Sequence, residues 1–114
     1  SPWKVIEDID MLNGWQNYYT SPQSAKCAYR RILDKIEFKG QLNNSGTINQ
    51  PFFQLPVGYR PAVGRHCACV NHGLGFVAIL ELSVATDGTC VIRKDSTLSS
   101  HAITSLDGVS FPLS

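Results

Sequence analysis

Five aromatic side chains have the chemistry to bind a sugar ring. The C–H face of a sugar packs on an aromatic surface, and amide side chains hydrogen-bond its hydroxyl groups. Trp15 and Tyr59 are also the residue types that fill cores and subunit contacts. Tyr18 and Tyr19 are harder to bury together, because consecutive residues of an extended chain face opposite ways. The aromatic candidates are Trp3, Trp15, Tyr18, Tyr19 and Tyr59, and the amide candidates are Gln16, Asn17 and Asn71.

A positive charge lies among these candidates. Arg60, between Tyr59 and Pro61, has a guanidinium group that could hold a phosphate through paired hydrogen bonds. The alternative, which we favour, is a salt bridge that pins the surrounding turn. His72 follows Asn71 and completes the candidate set. We predict a non-covalent ligand site that includes Asn17, Tyr18, Tyr19, Tyr59, Arg60, Asn71 and His72.

Four cysteines allow three interpretations. Cys67 and Cys69 are two residues apart, so in a strand they point the same way and cannot easily bridge each other. A structural zinc site usually has four ligands in paired knuckles, and a Cys-x-Cys beside His66 and His72 lacks a second pair. We favour free thiols packed as small apolar groups, with disulfides and a metal site as open alternatives. No metal or cofactor is predicted. The cysteines are Cys27, Cys67, Cys69 and Cys90.

A cysteine nucleophile with a histidine base is the catalytic arrangement that the residue types allow. The candidate bases are His66, His72 and His101, and the residues that could orient them are Asp87 and Asp107. Both aspartates precede a glycine, where Asp is favoured in turns. No Gly-x-Ser-x-Gly, paired-carboxylate or phosphate-loop pattern occurs. We therefore expect no enzyme activity.

Length and composition predict one domain, residues 1–114, with residues 1–15 as an N-terminal arm. Apolar residues make up 43% of the chain and charged residues 17%, which is ordinary for a globular domain. A net charge of +1 gives no reason to expect a nucleic-acid partner. The longest apolar run, Leu74–Leu82, is far short of the ~20 residues that a membrane helix needs. The abrupt start suggests a piece of a longer protein.

The elements that must position these residues are strands joined by Gly and Pro corners. Pro56, Gly58 and Pro61 fall within six residues. No helix can pass through this combination, because each proline removes a donor and fixes φ, whereas glycine permits φ > 0. Residues 53–61 therefore predict a strand, a turn and another strand.

The remaining segments also favour strands. Residues 29–38 fit both a helical and a strand period, and we favour strands because Gly40 and the polar turn 43–46 follow closely. Asp87–Gly88 predicts a hairpin with a type I′ turn. Short strands with turns every ~8–12 residues indicate an antiparallel β-sandwich or jelly-roll-like domain. Strands are predicted at 65–70, 75–85, 90–93, 101–106 and 109–112, with turns at 71–73 and 94–96.

Three segments, in this order, resemble the C-terminal domains of tail-fibre and baseplate receptor-binding proteins from phages of Gram-positive bacteria. The same resemblance extends to the strand that ends at Gly40 and to the hairpin at 87–89. It covers nearly the whole chain, and the order of the pieces makes it more specific than any one of them. The three segments are Leu12–Tyr18, Phe53–Pro61 and Leu106–Phe111.

The resemblance implies a β-sandwich at the tip of a virion tail, often a homotrimer, made in the bacterial cytoplasm. It implies binding, without chemistry, to a bacterial surface polysaccharide or teichoic acid, and contacts with other tail or baseplate proteins. Arg65–Cys69 departs from the pattern, because ordinary aliphatic strand residues are expected there. Two alternatives remain: a structural domain that trimerises and caps a fibre without touching the host, and a zinc-stabilised β module.

Overall fold

The computed structural model describes residues 2–43, 45–73, 75–94 and 103–114. Within these residues it has eleven strands and two short 3-10 helices, Asp8–Asp10 and Gln23–Ala25. No described helix has the length and apolar character to span a membrane. The strands are β1 (Lys4–Val5), β2 (Gln16–Asn17), β3 (Ala28–Ile32), β4 (Lys35–Lys39), β5 (Gln41–Asn43), β6 (Pro51–Gln54), β7 (Arg65–Gly73), β8 (Phe76–Val84), β9 (Thr89–Arg93), β10 (Ile103–Ser105) and β11 (Ser110–Pro112).

The strands form two antiparallel sheets. The small sheet has the order β1-β3-β4-β11, and the large sheet has the order β2-β5-β10-β7-β8-β9-β6. Both sheets contribute buried side chains to one hydrophobic core, and the predicted all-β antiparallel sandwich is confirmed. From the small sheet come Tyr29, Ile36, Phe38 and Phe111, and from the large sheet Leu42, Phe52, Leu80, Leu82 and Ile92.

The ambiguous segment at 29–38 is a hairpin, so the strand interpretation is confirmed. In β4, Ile36 and Phe38 are buried, whereas Lys35, Glu37 and Lys39 lie on the outer face. This alternation has the period of two that a sheet with one buried face requires. The apolar residues whose spacing also fits a helix therefore lie in two paired strands, β3 and β4, and not on one face of a helix.

The predicted turn at 71–73 is wrong, because these residues are the last three of β7. His72 pairs with Val77 of β8 and with Ile103 of β10, so strands on both sides keep the backbone extended. The reversal follows Gly73. The predicted turn at 94–96 lies outside the described residues from 95 onward, as do residues 101–102 of the predicted 101–106 strand.

A hairpin forms at Asp87–Gly88 as predicted, but its turn is not type I′. A type I′ turn needs φ > 0 at both central residues, and only Gly88 has it, at +88°. The Gly88 amide donates to the Ala85 carbonyl (2.9 Å), and the Ala85 amide donates to the Thr89 carbonyl (3.0 Å). The loop therefore has three residues. A carboxylate oxygen of Asp87 accepts a hydrogen bond from the Thr89 amide at 3.0 Å, which fixes Asp87 in its negative-φ position.

The segment predicted as an N-terminal arm packs into the domain. Its strand β1 pairs with β3, and Ile6, Met11 and Trp15 are buried in the core. The Trp15 indole also donates a hydrogen bond to the Thr47 carbonyl at 3.3 Å. Residues 4–15 therefore help to set the position of β2, which begins at Gln16.

Candidate functional site

Tyr18 and Tyr19 form an exposed aromatic pair directly after β2. Their rings meet edge to face, with centroids 4.9 Å apart and planes at 88°. They remain 45% and 48% exposed. The Tyr18 amide donates to the Gln41 carbonyl of β5 at 2.9 Å, so the large sheet holds the backbone under the pair. The exposed rings are available to a ligand.

Asn17 lies just below this pair, and its side chain is used within the protein. Its Nδ2 donates to the Ile6 carbonyl and to the Asp8 carboxylate, both at 2.9 Å. Its Oδ1 accepts from the Cys27 amide at 2.6 Å. Only 3% of the residue is exposed. Asn17 therefore positions the tyrosines, and its amide does not face solvent.

A small polar hollow of about 220 Å³ lies beside Tyr19. The Gln41 amide nitrogen donates to Asp107 at 2.7 Å, and the other oxygen of Asp107 accepts from the Gly40 amide at 2.8 Å. The Lys39 ammonium donates to the Ser24 carbonyl at 3.1 Å. The hollow thus combines a carboxylate, an amide and a cation next to an exposed ring. Its lining residues are Tyr19, Ser24, Ala25, Lys39, Gly40, Gln41 and Asp107.

His72 is linked to this hollow, whereas its neighbour Asn71 is not. His72 Nε2 lies 3.3 Å from Gln41 Oε1. The Gln41 nitrogen is already a donor to Asp107 and to Ser105, so in this arrangement His72 is the donor to its oxygen. Asn71 is buried on the opposite face of β7 and donates to the Thr104 hydroxyl at 3.0 Å.

Tyr59 and Arg60 are not part of this group. Tyr59 is half-buried with its ring edge-on to Tyr29, at a centroid distance of 5.2 Å. Arg60 Nε donates to the Leu55 carbonyl at 2.9 Å. Arg60 therefore pins the turn, as favoured, but through a backbone carbonyl instead of the predicted salt bridge.

A cleft of about 400 Å³ lies near Tyr29, lined by Val5, Asp10, Leu12, Tyr29, Phe53, Gln54 and Pro56.

The sequence does not indicate Lys39 or Gln41 as site residues, and it indicates Asp107 only as a turn residue or a possible partner of a catalytic histidine. In the structure the Asp107 carboxylate instead accepts hydrogen bonds from the Gly40 amide and from Gln41 of β5. The hollow forms because β2 and β10 flank β5 in the large sheet. No local pattern in the sequence carries this pairing.

All four cysteines are free thiols, as the favoured interpretation predicted. Burial raises the pKa of Cys27 and of Cys69 to about 12 and also raises that of Cys90. Half-buried Cys67 has a pKa raised by burial as well. The thiolate is the nucleophile and the metal ligand, so these environments favour neither role. Among the described residues no three His, Cys, Asp or Glu side chains are placed to hold a metal ion.

His66, Glu81 and Ser83 meet on the outer face of the large sheet but do not form a catalytic relay. Glu81 lies 3.2 Å from His66 Nδ1, and the Ser83 hydroxyl lies 3.3 Å from the same nitrogen. In a serine–histidine–acid triad the two ring nitrogens serve different partners. Here Nδ1 of His66 faces both Glu81 and Ser83. The ring therefore cannot take a proton from the serine at one nitrogen while the carboxylate holds the other.

The chain resembles two solved phage proteins over nearly its whole length. The receptor-binding protein of Listeria phage PSA is 14% identical, with a TM-score of 0.67 over 97% of this chain. The chain spans 65% of that protein's length. The head domain of lactococcal phage bIL170 is 13% identical, with a TM-score of 0.61 over 98% of this chain and 97% of that domain. No family model and no curated protein sequence matches the chain. The fold is that of the receptor-binding domains of these phages of Gram-positive bacteria, as the sequence resemblance predicted.

Proposed function

We propose that the chain is a receptor-binding domain at the tip of a phage tail. It holds a surface polysaccharide or teichoic acid of the bacterial host at Tyr18 and Tyr19, without catalysing a reaction. The observation that carries this proposal is the exposed tyrosine pair beside a polar hollow, in a chain with the fold of phage receptor-binding domains. As part of a tail, the domain also contacts other tail or baseplate proteins.

The chemistry of the surface suits a carbohydrate. The edge-to-face packing leaves ring surface open to the C–H face of a sugar. The ammonium of Lys39 donates hydrogen bonds, and the carboxylate of Asp107 accepts them. The hollow is smaller than a typical pocket of ~300–1,000 Å³ for a small molecule, which fits one unit of a polymer better than a whole compact ligand.

Cell binding by the isolated domain tests the proposal. Fluorescently labelled domain is mixed with a panel of Gram-positive strains, and the bound fraction is measured for wild type and for the Tyr18→Ala/Tyr19→Ala double variant. We expect wild type to bind at least one strain and the double variant to lose most of that binding.

The matched control is the Ile9→Ala/Leu33→Ala double variant, because both residues are about 90% exposed. It removes similar apolar surface elsewhere and should bind as wild type does. A wild-type domain that binds no cells but assembles correctly would favour the fibre-capping alternative. Binding that survives in the tyrosine variant would place the receptor site elsewhere.

We also propose that the domain works as a homotrimer through an exposed apolar face (Val70, Val77 and Ile79). Val70 lies opposite Ile79 across β7 and β8, and Val77 and Ile79 are 73% and 64% exposed. A contiguous exposed apolar patch marks an interaction surface. Three copies would present three weak sites on one rigid tip, which raises avidity without new contacts.

Light scattering tests the assembly. We expect a trimeric mass for wild type and a monomeric mass for Val77→Lys/Ile79→Lys, because two buried ammonium groups would oppose association. Ile9→Lys/Leu33→Lys is the control and should remain trimeric. A monomeric wild type at tens of micromolar, or a trimeric Val77→Lys/Ile79→Lys variant, would contradict this interface.

A further inference from the structure

The outer face of the small sheet carries a row of chemically matched side chains that the proposed receptor site does not use. Arg30 of β3 pairs with Glu37 of β4, and Glu37 pairs with Ser110 of β11. Trp3, just before β1, lies against Arg30, with its ring centroid 4.2 Å from the guanidinium carbon. The row therefore runs from an indole to a hydroxyl across all four strands.

Two cations share the Trp3 ring. Besides Arg30, the Lys39 ammonium lies 5.0 Å from the ring centroid. A cation over an indole face is stabilised by the ring quadrupole, but two like charges on one ring also repel each other. The repulsion between Arg30 and Lys39 therefore has to be offset by a negative charge nearby.

Glu37 supplies only part of that negative charge. Arg30 Nε donates to Glu37 at 2.9 Å, and the Lys35 ammonium lies 3.7 Å from its other oxygen. The hydrogen bond from Arg30 holds the pKa of Glu37 below its usual value, so this carboxylate stays ionised near neutral pH. One carboxylate thus faces the three cations Arg30, Lys35 and Lys39. Within the described part of the chain, the two Nη groups of Arg30 have no hydrogen-bond partner.

These charges line a groove of about 340 Å³, whose other lining residues include Trp3 and Ser110. A guanidinium with open Nη groups binds phosphate oxygens in a paired geometry, and ammonium groups add charge. The indole wall suits the C–H surface of a polyol or sugar. Residues 2–5 do not need Arg30, Lys35 and Lys39 to hold them on the sheet, because β1 is already paired with β3.

We propose that this groove is a second binding site, for a phosphate group carried on a polyol or sugar. Arg30 and Lys35 hold the phosphate oxygens, and Trp3 packs against the carbon skeleton. The site stands independently of the tyrosine surface. Lys39 lines both the groove and the hollow beside Tyr19, so a phosphate-bearing polymer held at the tyrosines would reach the groove. That last consequence alone depends on the proposed function.

Calorimetric titration of the domain with glycerol 1-phosphate at low salt tests the site. Inorganic phosphate, glycerol and a poly(glycerol phosphate) oligomer are titrated alongside to separate the phosphate from its carrier. We expect glycerol 1-phosphate to bind more tightly than inorganic phosphate, and glycerol not to bind. No heat with either phosphate compound, or equal Kd values for both, would overturn the proposal.

Variants locate the binding. Arg30→Gln and Lys35→Gln should each raise the Kd about tenfold, since each removes a charge-assisted contact. Arg93→Gln is the matched control, because it removes an exposed arginine charge elsewhere and should change the Kd less than twofold. Equal loss in all three variants would mean non-specific attraction of anions and would reject the site.

Fluorescence gives a second, independent readout. Trp15 is buried and hydrogen-bonded, so a change in tryptophan emission on binding should come from Trp3 and vanish in Trp3→Phe. Tyr18→Ala/Tyr19→Ala should bind glycerol 1-phosphate as wild type does. The tyrosine variant should lose cell binding but retain phosphate binding if only the receptor site has failed. Lys35→Gln should lose phosphate binding but retain cell binding if only the groove has failed.

Discussion

Tyr59 and Tyr18 belong to the same predicted site, but the structure holds them in different ways. Tyr59 packs edge-on against Tyr29, and its neighbour Arg60 is tied to the Leu55 carbonyl. Tyr18 packs on Tyr19, and both rings remain nearly half exposed. The turn at 53–61 is thus built from internal contacts, whereas the tyrosine pair presents its surface outward. Both Phe53–Pro61 and Leu12–Tyr18 carry the family resemblance, but the first is occupied by internal contacts and the second ends in an exposed ring.

The largest expected effect is at Gly88, in the β8–β9 hairpin loop that packs against the turn at 53–61. A Cβ atom there would lie 2.4 Å from the Leu55 carbonyl oxygen and 3.0 Å from Arg60 Nε, and φ is +88°. We expect Gly88→Ala to lower the free energy of unfolding by about 3 kcal/mol, through both steric overlap and backbone strain. Urea denaturation measures this change.

Gly58→Ala is the control for that prediction. Gly58 also has positive φ, at +97°, but nothing lies within 4 Å of its Cβ position. This variant carries the backbone strain alone and should lose about 1 kcal/mol. Equal losses in the two variants would show that the close approach of the Leu55 carbonyl and of Arg60 to Gly88 adds no steric cost to the backbone strain.

The next effect is at Asn17, which lies directly before the tyrosine pair and is bonded to the N-terminal segment and to Cys27. Its amide bonds the Ile6 carbonyl and the Cys27 amide, so Asn17→Ala leaves buried polar groups without partners. We expect the free energy of unfolding to fall by about 2 kcal/mol. Cell binding should fall only as far as the folded fraction does. If binding is lost while the Tm is unchanged, Asn17 contacts the ligand directly and its assignment as a support for the tyrosines is wrong.

A smaller effect is expected at Arg60. Arg60→Ala removes one hydrogen bond to a backbone carbonyl, which corresponds to about 1 kcal/mol. Thermal denaturation should show a modest drop in Tm, with cell binding unchanged at temperatures where the variant is folded. The opposite pattern, a stable protein that no longer binds cells, would favour the phosphate-holding alternative for Arg60.

The class of fold could be predicted from the sequence because local chemistry specifies it. Pro56, Gly58 and Pro61 exclude a helix, and alternation in 35–39 is typical of a strand with one buried face. The error at 71–73 arose because residue types that favour turns also occur in strands, and here β8 and β10 hold them extended. Turn type at Gly88 depended on the Asp87 carboxylate, which bonds the Thr89 amide.

The candidate site could be predicted only in part. Exposure of at least one of Tyr18 and Tyr19 was expected, because consecutive residues of an extended chain face opposite ways. The structure exposes both, since they follow the end of β2 and their rings pack on each other. The hollow beside them needs Gly40 and Asp107, which are 67 residues apart and meet through a hydrogen bond. No short-range pattern encodes such a contact, and the amides of Asn17 and Asn71 were assigned to the ligand because burial is not visible in residue type.

The most direct test of the account is calorimetric binding of purified host cell-wall polymer to the domain and to Tyr18→Ala/Tyr19→Ala. Both residues are exposed, so the variant should unfold within about 0.5 kcal/mol of wild type. We predict that its Kd for the polymer rises about tenfold or more, since each stacked ring contributes about 1 kcal/mol. A variant that is equally stable and binds the polymer with the wild-type Kd would contradict the assignment of the tyrosine pair as the receptor site.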